Sequence, residues 1–444
     1  LQFSYKLANE KSRGSGEANA LLDTLMSLIR SLSSNGNANR PSKVSIPDNI
    51  MEQSARRSPR RISFLSEGNA ETYHAFSGTA KGIVDHLRLL GENIVCVDVR
   101  PPNSVRLANA LVTWSTNRRR WKAKFRHGDF AFNARSRQAS CSIRKASAPF
   151  DLAFQIGATF LPPENVPYVL YCDWNMGLSI QNRATGRAST DGMTAEETHA
   201  INSRQSKIYH RAALIFTICE RLRESFIQDY QIPQDRVVRA YPGVNFLDSD
   251  IKAVQAYRKS DGPPTVLFIG KEFERKGGKT LLQAFQNLRN RIPGARLVII
   301  GAENAPKGEP GVESLGVLNK AVAGERERLL NAFAAATVFC LPSRLDPFPN
   351  VVREAMVFGL PCVTSDVWAF PEMVIHGETG FVVPPDEPVH LAARLEQLLG
   401  CRDLAMKMGA AGQRYAASEF SWTKCASTIK NAIDNRFPDH GLRN

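Results

Sequence analysis

From Ile62 onward, short apolar runs alternate with segments in which apolar residues return every three or four positions. Runs of four to seven bounded by Gly, Pro or Asp read as strands, and the three-to-four spacing reads as amphipathic helices. The first strand is Ile62-Ser63-Phe64-Leu65, followed by a polar loop through Phe76-Ser77-Gly78-Thr79. A helix with Ile83, Leu87 and Leu90 on one face ends at Gly91, and 93–99 forms the next strand. Strand, helix and strand in this order make a βαβ unit. Further strands are expected at 152–156, 168–171, 213–218 and 237–240, with a helix over 221–229.

The second half repeats the pattern with shorter connections. Strands are expected at 265–269, 296–300, 337–341, 361–364 and 380–383, and helices at 279–290, 324–334, 350–358 and 388–399. Regular βα repeats of this kind build a doubly wound parallel sheet. The expected organisation is therefore α/β, with two Rossmann-like doubly wound domains. Residues 61–245 form the first, 246–262 a linker opened by Pro242-Gly243-Val244-Asn245, and 263–420 the second. A terminal helix over 421–437 follows. Residues 1–60 read as a low-complexity extension rich in Ser, Asn, Arg and Gly. Inside it Leu21, Leu22, Leu25, Leu28, Ile29 and Leu32 mark one short amphipathic helix.

Composition narrows the class. A chain of 444 residues with 43% hydrophobic and 23% charged residues has the balance of a globular protein with more than one core. No run is long and apolar enough for a membrane helix, and no secretory leader pattern stands at the start of the sequence. The eight cysteines are scattered, without a C-x-x-C pair, so neither a zinc site nor a disulfide framework is expected. The cytoplasm is the expected compartment. The formal net charge of +14 is concentrated between Arg100 and Phe150. That run fits a solvated face, an anionic membrane surface at the inner membrane face, or an anionic acceptor. No nucleic-acid-binding signature accompanies it.

Ligands of open parallel sheets sit outside the carboxyl ends of the strands. After 265–269 comes Gly270-Lys271-Glu272-Phe273-Glu274-Arg275-Lys276-Gly277-Gly278. Its glycines allow close backbone approach, and Lys271 and Lys276 can neutralise a diphosphate as point charges. After 337–341 comes a Pro-rich loop carrying Asp346, then a helix start at Asn350 and Val351 with Glu354 within it. Free N–H groups at a helix start favour an anion. Asp346 and Glu354 can hold hydroxyl-rich ends of a ligand. Equally, Asp346 can cap the helix and Glu354 can be an exposed helix acid.

These motifs resemble the donor domain of glycosyltransferase family 4, the retaining GT-B enzymes of the glycosyl transferases group 1 type. The resemblance rests on Phe268-Ile269-Gly270-Lys271 with Lys276-Gly277, and on Asp346, seven residues, Glu354, then Ala355-Met356 and Gly359-Leu360-Pro361. Pro371-Glu372 and His376-Gly377-Glu378-Thr379-Gly380 continue it. The first half resembles the family more loosely, through Phe76-Ser77-Gly78-Thr79, 218–245 and Phe420-Ser421-Trp422.

The resemblance implies two domains facing each other across a cleft, and a nucleotide diphosphate sugar as donor. It implies a glycan or lipid-linked acceptor and no cofactor or metal. Lys271 and Lys276 would bind the diphosphate and stabilise it as it leaves, and Asp346 would bind the transferred sugar. Glu354 would bind the ribose, with Gly270 and the Asn350 and Val351 N–H groups supporting the phosphates. Ser77, Gly78, Thr79 and Asp173 would lie on the acceptor side, although Asp173 reads equally as a turn residue. Three positions depart from the family: Lys271 replaces Arg, Asp346 replaces Glu, and Pro349 stands where Gly is usual. These departures and the N-terminal extension leave a catalytically weak pseudo-enzyme as a rival expectation, and a sugar-nucleotide epimerase is another, which would need catalytic acids or a His in both domains.

Overall fold

A computed structural model describes residues 59–73, 75–181, 192–246, 248–257, 262–306 and 308–438. The helix expected over 21–32 lies outside the described residues. The first domain runs β1 (Arg61–Ser66), α1 (Thr79–Leu89), β2 (Asn93–Asp98), α2 (Asn103–Val112), α3 (Arg118–His127) and α4 (Asp129–Arg144). It continues with β3 (Leu152–Ile156), β4 (Tyr168–Cys172), α5 (Met176–Gln181), α6 (Ala195–Arg211), β5 (Leu214–Thr217), α7 (Glu220–Gln228) and β6 (Val237–Arg239). The second runs α8 (Asp248–Tyr257), β7 (Thr265–Ile269), α9 (Gly278–Arg289), β8 (Arg296–Ile300), β9 (Val312–Gly316), α10 (Ala323–Ala335) and β10 (Val338–Leu341). Then come α11 (Asn350–Val357), β11 (Cys362–Ser365), α12 (Phe370–Met373), β12 (Gly380–Val383), α13 (Pro388–Gly400), α14 (Arg402–Glu419) and α15 (Trp422–Arg436).

Each domain is built on a six-stranded sheet, ordered β2-β1-β3-β4-β5-β6 in the first and β12-β11-β10-β7-β8-β9 in the second. All pairings are parallel. Helices cover the faces, so central strands such as β3, β4 and β10 are buried along their whole length. That double burial is why these strands read as continuous apolar runs. Strand order reverses between β1 and β3 in one sheet and between β7 and β10 in the other. Crevices for ligands open at such switch points.

Several elements differ from the sequence expectation. The basic run after Arg100 folds into α2, α3 and α4. Helices α6 and α14 and edge strand β9 stand where no element was expected. The stretch 246–262, expected as a linker, carries α8, whose Asp250 carboxylate accepts from Arg326 of α10. It therefore packs on the second domain instead of spanning freely.

Helix α15 returns to the first domain. Lys430 of α15 donates to Glu92 at 2.6 Å, and the Arg60 main-chain N–H donates to the same carboxylate at 3.1 Å. Trp422 closes the contact against α1: a Cβ at Gly82 would lie 2.3 Å from its ring. Helix propensity alone favours Ala over Gly by about 1 kcal/mol. The ring is a rigid neighbour, and overpacking costs about 1–3 kcal/mol. We expect Gly82→Ala to destabilise the protein in urea melts, and a stabilised variant would refute this packing.

Candidate functional site

The loops after β7 and β10 flank the switch point of the second sheet, and the chain brings them into contact there. Gly277 adopts a left-handed φ of 78°, and a Cβ on it would stand 1.8 Å from the Pro342 carbonyl oxygen. Only glycine fits this crossing. The crossing puts Lys276 against Asp346, and the two form an ion pair with side chains only 14% and 10% exposed. Lys271 is exposed and has no hydrogen-bond or ion-pair partner among the described residues. Gly270 is buried beside the Lys276 stem. Arg275 braces the loop, donating to the Leu345 carbonyl at 2.5 Å and to Glu272 at 2.8 Å.

Glu354 is not an exposed helix acid. It is 2% exposed, and one carboxylate oxygen accepts from Lys320 at 2.5 Å. The other oxygen is buried with no hydrogen-bond partner. A buried carboxylate oxygen without a donor is costly, and ligand hydroxyls are natural donors to it. Nor does Asp346 cap α11: the cap position is Pro349, and the helix has no side-chain cap hydrogen bond. Asn350 and Val351 occupy that turn, where N–H groups have no helical acceptor. Pro349 has no N–H to offer, so the first donors belong to Asn350 and Val351. The Ser343 hydroxyl is also buried and unpartnered in the loop before Asp346.

On the first domain Asp173 follows β4. Its own surface is exposed, yet surrounding protein pushes its carboxyl above the usual range, with Arg126 acting in the opposite sense. Ser77, Gly78 and Thr79 form the tight turn into α1, with Ser77 at φ 54°. Asn245 donates to the Ser77 carbonyl at 2.8 Å and accepts from Trp422 at 3.2 Å. This turn is thereby tied to the segment leaving the first domain. His376 Nδ1 lies 3.0 Å from the Val382 carbonyl oxygen and 3.2 Å from the Val382 nitrogen, and its tautomer decides which of the two it bonds. Burial pushes His127 down to about 3, with Arg126, Arg135 and Arg204 adding to it.

Four side chains at the domain junction had no role in the sequence reading. Lys320 pairs with Glu354. Arg353, 1% exposed, donates to the Pro242 and Gly243 carbonyls and to Asn350. Glu372 of the second domain accepts from the Glu220 N–H at 2.6 Å and the Arg221 N–H at 3.0 Å. It thus caps α7 of the first domain, where negative charge is favoured. Trp368, close beside it in sequence, stacks on Trp174 at 4.5 Å. Only Glu372 had a local signal, the Pro-Glu pair. The others depend on residues far away in the chain. Among the described residues no group of three or more His, Cys, Asp or Glu could hold a metal ion.

Residues 250–415 match the family described as Glycosyl transferases group 1. The D-inositol 3-phosphate glycosyltransferase of Corynebacterium diphtheriae is 26% identical over 297 residues, covering 63% of this chain and 68% of that protein. A GDP-mannose-dependent alpha-(1-6)-phosphatidylinositol monomannoside mannosyltransferase of Mycobacterium tuberculosis is 31% identical over 187 residues. That match covers 38% of this chain and 47% of the relative. The sucrose-phosphate synthase structure from Thermosynechococcus elongatus superposes with a TM-score of 0.61 at 18% identity, covering 85% of this chain and 98% of that one. Two doubly wound domains facing each other across a cleft are the GT-B arrangement. No helix among the described residues is long and apolar enough to cross a membrane.

Proposed function

We propose that this GT-B chain, a glycosyltransferase by its matched domain and its relatives, moves a hexosyl or N-acetylhexosaminyl group with retention. The donor is a nucleotide diphosphate sugar and the acceptor a glycan or lipid-linked molecule. One observation carries the reading: two carboxylates, Asp346 and Glu354, lie buried at the switch point, each held by a lysine, beside a helix start. A nucleotide sugar offers hydroxyls at both ends and a diphosphate between them, the complement of this arrangement. The bond from the sugar's anomeric carbon to the diphosphate oxygen breaks, a bond to the acceptor hydroxyl oxygen forms, and the hydroxyl proton passes to the departing diphosphate. Negative charge grows on the departing diphosphate. Lys271, Lys276 and the Asn350 and Val351 N–H groups would stabilise it there. They supply the charge that a metal supplies elsewhere, so we propose a metal-independent reaction.

Ligand binding must open the Lys276–Asp346 pair. Lys276 then turns to phosphate and Asp346 to sugar hydroxyls, while Glu354 takes the ribose. Retention rests on the family resemblance. The relatives' names speak of inositol phosphate and phosphatidylinositol mannoside, which favours a phosphorylated or lipid-linked acceptor. Leu107, Leu111, Val112 and Trp114 are exposed on and beside α2, next to exposed Arg118 and Arg119. This surface suits peripheral contact with an anionic membrane from the cytoplasmic side.

Calorimetric titration with UDP-, GDP- and ADP-sugars tests the reading. We expect saturable binding of one nucleotide class. Glu354→Ala should weaken it about tenfold or more, the worth of hydrogen bonds to a charged group. Lys320 is 41% exposed and stays solvated without its partner, so this variant should melt like the wild type. Absence of binding by every donor would overturn the proposal.

A further inference from the structure

The first domain holds a pocket of about 360 Å³ outside the donor loops, where the exit of β2 meets α2, α3 and α4. Five cations and one carboxylate line it. Two of the cations are spoken for. Arg100 pairs with Asp98 at 2.6 Å, and buried Arg135 pairs with Glu67 at 2.9 Å. Glu67 is engaged further, accepting from Thr159 at 2.7 Å. Arg106, Lys122 and Arg126 remain, and their side chains have no hydrogen-bond or ion-pair partner among the described residues. Three such cations around one concave surface repel each other, and an anion between them relieves that repulsion. The Arg106 guanidinium is pushed down by burial and then by Arg100, with Asp98 and Glu67 acting in the opposite sense.

The remaining wall is aromatic. Trp121 is buried and fixed by its indole N–H, which donates to the Ala110 carbonyl at 3.0 Å, and Phe125 and Phe130 lie beside it. Such a pocket suits a ligand with a charged group and a less polar body. Glu67 and Arg100 of its lining follow the carboxyl ends of β1 and β2, the edge at which open parallel sheets bind ligands.

We infer that this pocket holds the acceptor, and that the acceptor carries a phosphate seated on Arg106, Lys122 and Arg126. The inference rests on the glycosyltransferase reading for the word acceptor, while the phosphate site stands on its own geometry. The phosphate belongs either to a lipid headgroup or to a free phosphorylated molecule.

Calorimetry with phenyl phosphate as probe, against phenol as its uncharged counterpart, tests the site. We expect saturable binding of phenyl phosphate alone, weakened about tenfold or more in the double variant Arg106→Gln/Lys122→Gln. Neither residue is buried and neither has a partner to lose, so an unchanged melting curve should confirm the fold. Glu354→Ala should bind the probe as the wild type does. Sedimentation with phosphatidylinositol vesicles, against phosphatidylcholine vesicles, separates the sources. Retention lost in the double variant and competed by phenyl phosphate identifies a headgroup, and probe binding without retention identifies a free phosphate ester. Absence of probe binding, or binding that survives the double variant and is displaced by a nucleoside diphosphate, overturns the proposal. A double variant that still binds nucleotide sugar would show that only the acceptor assignment is at stake.

Discussion

Lys276→Ala should lower kcat for sugar transfer by about 10²–10³-fold, the range seen when one preorganised stabiliser of developing charge is removed. The lysine sits on the loop that Gly277 allows to cross beneath β10, so its ammonium is held at the switch point before any ligand arrives. Its charge is paired with that of Asp346. Part of the donor's binding energy must break this pair, which reduces the effect on ground-state binding. The diphosphate gains charge only as the bond breaks, so the loss should fall mainly on kcat and less on KM. Steady-state transfer at saturating donor, with donor hydrolysis measured alongside, reads the effect. A rate equal to the wild type would remove Lys276 from the mechanism.

Arg353→Met should destabilise the fold by about 3 kcal/mol, the range for breaking a buried, hydrogen-bonded charge. Arg353 leaves α11 of the second domain and its guanidinium donates to two successive carbonyls, Pro242 and Gly243, at the exit of the first domain. Its fork also reaches Asn350 in the first turn of the same helix, and its face lies 4.9 Å from the Phe348 ring. Burial lowers its pKa to about 10, which still leaves it charged at neutral pH. Methionine fills similar volume, so the loss is not a cavity effect. What remains is two backbone carbonyls buried without donors. Lysine should rescue little, because a single ammonium cannot reproduce the planar fork. Urea melts would show a lower midpoint, and an unchanged midpoint would mean that water replaces the guanidinium at this junction. Since the same side chain holds Asn350, donor binding should weaken with it.

Much of this architecture is local information. Strands buried on both faces are apolar along most of their length, so β3, β4, β7, β8 and β10 announce themselves in the chain despite Gln155, Thr265 and Arg296. The loops proposed to bind the donor were legible for a related reason. Glycines at 270, 277 and 278, lysines at 271 and 276, and the Asp346 to Glu354 spacing all lie within short segments after strands. Helix α6 was missed, although Thr194 and Glu197 form a capping box at its start, a local signal in a polar segment. Helix α3 was hidden because only Trp121 and Ala123 among its ten residues are buried, and its arginines and lysines mask the period.

Tertiary structure alone decided which of these charges meet. Lys276 and Asp346 stand 70 positions apart and Lys320 and Glu354 stand 34 apart. Arg353 reaches carbonyls 110 positions away, and Glu372 caps a helix 152 positions away. Side-chain periodicity encodes which face of an element is buried, and it contains nothing about the partner that buries it. Whether Glu354 is an exposed helix acid or a buried carboxylate with a free oxygen depends on Lys320 and on the packing of two sheets. The same holds for the basic run: its charge is written in the chain, but the pocket that gathers Arg106, Lys122 and Arg126 exists only once three helices close around it.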